Sequence, residues 1–264
     1  MRHTMRAAVT GVLVLGTVTA IAAPGTAAGT GLGNTYYLTN GTSGVTDIAF
    51  VYGKSDDAVL VGDWNGDGKD TPAVRRGNTY YLSNSTRGGQ ADVVFAYGKP
   101  DDVVLVGDWD GDGKDTLAVR RGSTYYLANS TKGGQADVTF SYGKVDDEVL
   151  VGDWDGDGKD TLGVRRGSNY FLTNGTQGGS ADISLTYGYA TDEALVGDWN
   201  GDGKDSLGVR RYGDCFTMSN SLVNPKEDYW FPYGRTTDSV IVGDWNGDGK
   251  DTVGLRRPGA PATL

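Results

Sequence analysis

The chain has 264 residues, of which 43 are Gly and 7 Pro, and a formal net charge of −10. No Gly-X-Y period runs through it, which excludes a collagen-like helix. The acidic balance argues against nucleic acid and anionic membrane as partners.

Arg2, His3 and Arg6 open the chain, an apolar run follows from Ala7 to about Ala23, and small residues continue to Ala28. This three-part pattern predicts a secretory signal peptide over residues 1–28, cut after Ala22 or Ala28, and hence an extracellular protein. The run is short for a membrane span and has no basic stop after it, so no stable membrane anchor is expected. The leader has no twin arginine, and no Cys near the cut suggests lipidation. Without the two leader arginines, 22 basic residues face 34 acidic ones, a net charge of −12. His3 is the chain's single His and leaves with the leader.

Residues 29–33 read as a short linker, and residues 34–258 as one repeat domain with a tail over 259–264. The loop Asp-Trp-(Asn/Asp)-Gly-Asp-Gly-Lys-Asp starts at Asp63, Asp108, Asp153, Asp198 and Asp244. The intervals are 45, 45, 45 and 46, and Tyr212 accounts for the extra residue. A period of this size suits propeller blades. Within one unit, Asp102–Trp109 predicts a strand entering the loop, and Thr116–Arg121 a second strand. Ser123–Asn129 and Asp137–Gly143 predict a third and a fourth. No stretch holds a helical stripe. The sequence begins on third and fourth strands (Asn34–Leu38, Asp47–Gly53) and ends on first and second ones (Ser239–Trp245, Thr252–Arg257). Pairing the two ends closes a ring, so the predicted fold is an all-β, five-bladed propeller with four antiparallel strands per blade.

Side chains at alternate positions of each loop supply oxygen: Asp63, Asn65, Asp67; Asp108, Asp110, Asp112; Asp153, Asp155, Asp157; Asp198, Asn200, Asp202; and Asp244, Asn246, Asp248. The carbonyls of Lys69, Lys114, Lys159, Lys204 and Lys250 follow, as the seventh position does in an EF-hand loop. The five loops hold 17 of the 34 acids, so unscreened repulsion would be severe and divalent cations would relieve it. Up to five Ca2+ ions are expected.

Val-Gly-Asp-Trp-Asn-Gly-Asp-Gly-Lys-Asp followed by a strand resembles the FG-GAP and related VCBS-type repeats. That resemblance covers all five units and implies an integrin-like propeller with calcium between the first and second strands of each blade. It also shows a departure. The family usually has an acid at the ninth loop position, where this chain has Thr71, Thr116, Thr161, Ser206 and Thr252. An Asp stands one place earlier, at Asp70, Asp115, Asp160, Asp205 and Asp251. The final ligand is left between this Asp, the hydroxyl and water.

Trp64, Trp109, Trp154, Trp199 and Trp245 occupy the second loop position, where packing between blades is favoured over sugar stacking. Trp230 lies outside the pattern and is also expected to pack. Arg-Arg pairs end the second strands and should point to opposite faces, bridging carboxylates. Of each Tyr pair, such as Tyr80–Tyr81, one ring should be buried and one outward. Cys215 is alone and predicts a small buried hydrophobe, with no disulfide. Export, closed repeats and the lack of a nucleophile–base pair point to a monomeric, non-catalytic module for an extracellular glycan or protein. The alternative is a calcium-dependent hydrolase or lyase of polysaccharide, working through carboxylates across the channel.

Overall fold

The computed structural model describes residues 34–258; the predicted signal peptide, linker and C-terminal tail lie outside the described residues. The chain enters through β1 (Asn34–Leu38) and β2 (Ile48–Tyr52). Blade one follows as β3 (Ala58–Gly62), β4 (Thr71–Arg76), β5 (Thr79–Leu82) and β6 (Val93–Ala96). Blade two is β7 (Val103–Gly107), β8 (Thr116–Arg121), β9 (Thr124–Leu127) and β10 (Val138–Ser141). Blade three is β11 (Glu148–Gly152), β12 (Thr161–Arg166), β13 (Asn169–Leu172) and β14 (Ile183–Thr186). Blade four is β15 (Glu193–Gly197), β16 (Ser206–Arg211), β17 (Cys215–Met218) and β18 (Tyr229–Pro232). The last strands, β19 (Ser239–Gly243) and β20 (Thr252–Pro258), join β1 and β2 in the order β19-β20-β1-β2, which makes blade five. All five sheets are antiparallel, so the structure is the five-bladed β-propeller expected from the repeats.

Closure joins the two ends of the described chain. Tyr36 stands opposite Arg256 and Tyr37 opposite Leu255. The Thr252 hydroxyl donates to the Thr39 carbonyl at 2.6 Å. Every blade thus has its full set of strands, and the ring has no open radial end.

The strand sequences explain their radial order. β3, β7, β11, β15 and β19 meet their neighbours around the axis. Their apolar runs, such as Val-Leu-Val at 59–61, are buried on both faces. The outer strands alternate instead: Phe95 and Phe140 are buried while their neighbours reach solvent. Packing joins consecutive blades. Leu60, Trp64, Tyr80 and Phe95 of blade one form one core with Val104, Val106 and Leu117 of blade two.

All five loop tryptophans are buried. Each Tyr pair has one ring fully buried, at Tyr36, Tyr80, Tyr125, Tyr170 and the equivalent Phe216. The second ring is less outward than predicted. Tyr81 and Tyr126 are half-buried, with the guanidinium carbons of Arg76 and Arg121 4.6 Å above them. Two expectations need correction. Trp230 is 65% exposed, because it occupies the outward register of the edge strand β18 between buried Phe231 and half-buried Tyr229. Cys215 opens β17 beside the turn and is half-buried rather than buried.

Candidate metal loops and the channel rim

The five acidic loops join the first and second strands of the blades, β3 to β4 in blade one. Gly66 and Gly68 take φ of +76° and +78°, which an L side chain resists, and the other loops repeat this pair. The turn aims backbone N–H groups at the first carboxylate. Asp63 Oδ1 accepts from Gly66 N–H and Oδ2 from Gly68 N–H, both at 2.7 Å. Asp108, Asp153, Asp198 and Asp244 are held in the same way.

The third and fifth positions complete a cluster of oxygens. Asn65 Nδ2 donates to Asp67 Oδ2 at 3.1 Å, and Asn200–Asp202 and Asn246–Asp248 make the same bond. Loops two and three have Asp in place of that Asn. Their triads, Asp108–Asp110–Asp112 and Asp153–Asp155–Asp157, bring one oxygen from each residue within 4.8 Å of the others. Burial, and then the Asp112 charge, push the Asp108 carboxyl above its ordinary pKa against the pull of its N–H donors. A cation reverses that repulsion, and these triads can hold a metal ion. An all-oxygen donor set matches a hard divalent cation.

The eighth position lies elsewhere. Asp115 closes loop two, yet its Oδ2 accepts from Asp63 N–H in blade one at 2.7 Å. Its own N–H donates back to the Asp63 carbonyl at 2.9 Å. Asp160, Asp205, Asp251 and Asp70 grip Asp108, Asp153, Asp198 and Asp244 in turn. Asp70, Asp115, Asp160, Asp205 and Asp251 together line a channel cavity of about 110 Å3. Burial pushes Asp115 and Asp251 up to about 7. Burial, followed by the charge of other ring carboxylates, raises Asp70 and Asp205 as well. The structure therefore places this Asp at an inter-blade clasp, with Oδ2 committed to the preceding loop.

The ninth-position hydroxyls also turn inward. Thr71 Oγ1 donates to the Ser83 carbonyl at 2.6 Å, and Ser206 Oγ to the Ser219 carbonyl at 2.7 Å. The lysines reach sideways: a Cβ built on Gly66 would come within 3.1 Å of Lys114 Cγ, so the lysine stem lies across the neighbouring loop.

A second ring of carboxylates was not singled out by sequence. Asp57, Asp102, Asp147, Asp192 and Asp238 stand just before the inner strands and are buried. Each pairs with the second arginine of its own blade; Asp57 takes Arg76 Nε and Nη2 at 2.6 Å each. Burial would raise Asp102 and Asp147, but hydrogen bonds from Arg121 and Arg166 and from backbone N–H groups hold both below the ordinary value. The first arginine of each pair serves another purpose. Arg75 donates to the carbonyls of Lys99, Pro100 and Asp102 in the link to blade two. Alternation of the two arginines thus separates a staple within the blade from one between blades. The doubled acids at 56–57, 101–102 and 146–147 were the available signal, but they do not show which member is buried. No family model and no curated protein matches the chain.

Proposed function

We propose that this protein is a secreted, calcium-stapled binding module of the FG-GAP/VCBS type that recognises an extracellular glycan or protein without catalysis. The observation that carries the calcium part is the convergence of oxygen ligands in the loops, with two all-Asp triads within 4.8 Å. Asp63, Asn65 and Asp67 and their equivalents would hold one ion per loop, five in all, and the Lys69-type carbonyls would add a backbone ligand. Calcium there would neutralise carboxylates that otherwise repel one another and would stabilise the first hairpin of every blade.

Cavity sizes support binding without catalysis. The channel's 110 Å3 falls well below the roughly 300–1,000 Å3 of ligand pockets, and the adjoining pocket of about 250 Å3 beside Asp63, Asp70, Asp108 and Asp115 is also below that range, which argues against a polysaccharide chain seated among them. The groove between blades four and five measures about 380 Å3 and is lined by Tyr37, Thr46, Tyr233 and Arg257. The Tyr233 hydroxyl donates to the Tyr37 carbonyl at 3.1 Å and meets Thr46 Oγ1 at 2.9 Å, and Arg257 is paired with Asp238, so a sugar or polar peptide would meet the spare acceptor lone pairs of these hydroxyls beside the Tyr37 ring.

A thermal melt with and without chelator, together with elemental analysis, tests the calcium part. A large loss of stability on chelation is expected. An unchanged melting temperature with no calcium in the protein would remove the reading. A glycan array probed with the calcium-loaded protein tests the ligand: binding to no sugar would leave a protein partner.

A further inference from the structure

We infer that the five loops take up calcium as one cyclic, cooperative unit, because each loop's first ligand is held by the last residue of the next loop. The inference rests on the calcium reading above.

Asp63 would be the first ligand of loop one. Its carboxylate belongs to that loop, but both polar groups of its main chain belong to loop two. Asp115 Oδ2 takes its N–H at 2.7 Å, and Asp115 N–H takes its carbonyl at 2.9 Å. Asp115 is the last residue of loop two, whose first residue, Asp108, is held by Asp160 of loop three. Asp205 of loop four holds Asp153, and Asp251 of loop five holds Asp198. Asp70 then holds Asp244 with bonds of 2.7 and 2.8 Å, which returns the chain of contacts to loop one.

A second contact runs in the same direction. The lysine stems of loops two, three, four, five and one lie over Gly66, Gly111, Gly156, Gly201 and Gly247, with Cγ or Cε within about 3.0–3.2 Å of a Cβ built there. Gly66 is the residue whose N–H caps the Asp63 carboxylate. One neighbour therefore fixes both the main chain of the first ligand and the turn that aims N–H groups at it.

A carboxylate oxygen has two lone pairs: Asp63 Oδ2 accepts Gly68 N–H alone and keeps the other pair for an ion, while Oδ1 accepts Gly66 N–H at 2.7 Å and longer bonds from Asp67 and Asn65 N–H at 3.2 and 3.3 Å. An ion that orders loop one fixes Asp63. That fixes Asp115, and with it the end of loop two. Ordering one loop lowers the conformational cost of ordering the next, which is positive coupling between distinct sites. Ring closure leaves no terminal loop from which the coupling could fray.

Titration with calcium chloride alone, followed by calorimetry on the full chain, tests this. The expected curve is steep, with a Hill coefficient well above 1 for about five ions. Asp110→Ala removes a ligand from loop two alone; Asp110 is exposed and its side chain holds no hydrogen bond, so the fold should survive. The four intact loops should then bind calcium roughly five-fold or more weakly. Asp115→Ala keeps Asp108, Asp110 and Asp112 but opens one clasp, and should lower the Hill coefficient. If that variant does not fold, Asp110→Ala still decides. Independent or weakening successive sites in the wild type, or four unaltered sites in Asp110→Ala, would overturn the coupling and leave calcium binding intact. No calcium uptake at all would overturn both.

Discussion

The propeller carries two rings of five aspartates, and the same side chain behaves oppositely in each. Asp57, Asp102, Asp147, Asp192 and Asp238 each face an arginine, and for Asp102 and Asp147 these bonds outweigh the cost of burial. Asp70, Asp115, Asp160, Asp205 and Asp251 face main-chain N–H groups and one another across the channel. Neutral donors do not offset desolvation there, and the carboxyls rise. The arginine-paired ring is stable by itself. The channel ring is a clasp that bears charge and gains from any cation nearby.

Removing a member of the paired ring should have the largest effect. Asp238 has a fully buried side chain, accepts Arg235 N–H at 2.9 Å and pairs with Arg257. Asp238→Ala leaves that N–H and a partly buried guanidinium without their acceptor. A loss of about 3 kcal/mol is expected, seen in a urea melt. A loss below about 1 kcal/mol would show that the pair is screened like a surface bridge.

The two rings also differ in how far sequence revealed them. The loops, the four strands per unit and ring closure were legible because each is local and repeats at a fixed period. The role of Asp115 was not. It follows Asp108, Asp110 and Asp112 in one acidic run, and nothing local shows that its partner is Asp63, 52 residues away on another blade. Asp102 was hidden for a similar reason: it stands beside Asp101, which is exposed, and only the Arg121 contact distinguishes them. Thr71 was left as a possible ligand because its hydroxyl's partner, the Ser83 carbonyl, lies just past the end of the third strand. Local chemistry was readable, while contacts between strands or blades required the fold.

The pH dependence of the calcium-free protein separates the rings by sign. The channel carboxyls have folded pKa values above the ordinary value near 3.9, so between about pH 4 and 7 the folded state binds more protons than the unfolded state. Stability should therefore fall as pH rises through that window. Asp102 and Asp147 are held below the ordinary value, and their contribution is lost as pH falls below about 4. A melting temperature that peaks at about pH 4 is expected, with calcium lifting the alkaline side. A calcium-free profile that rises steadily from pH 5 to 8 would contradict the assignment of the channel ring.

Isosteric neutralisation makes the comparison at a single residue. In Asp115→Asn the amide oxygen can still accept Asp63 N–H, while one charge leaves the channel. At pH 8 without calcium the variant should be more stable by on the order of 1 kcal/mol. The same change at Asp238 should destabilise, because its charge is the half of the pair that Arg257 requires.

The smallest effect should come from changing the cation and keeping its charge. Arg257 donates to both oxygens of Asp238 and lies 4.6 Å above the Tyr37 ring. Lysine retains one point charge but loses the fork and the planar stack. Arg257→Lys should cost about 1 kcal/mol by urea denaturation, between wild type and Asp238→Ala. A cost equal to that of Asp238→Ala would mean that bidentate geometry, not charge, holds the pair together. A cost near zero would mean that charge alone suffices, and that the paired ring needs only a cation of either shape beside each buried carboxylate.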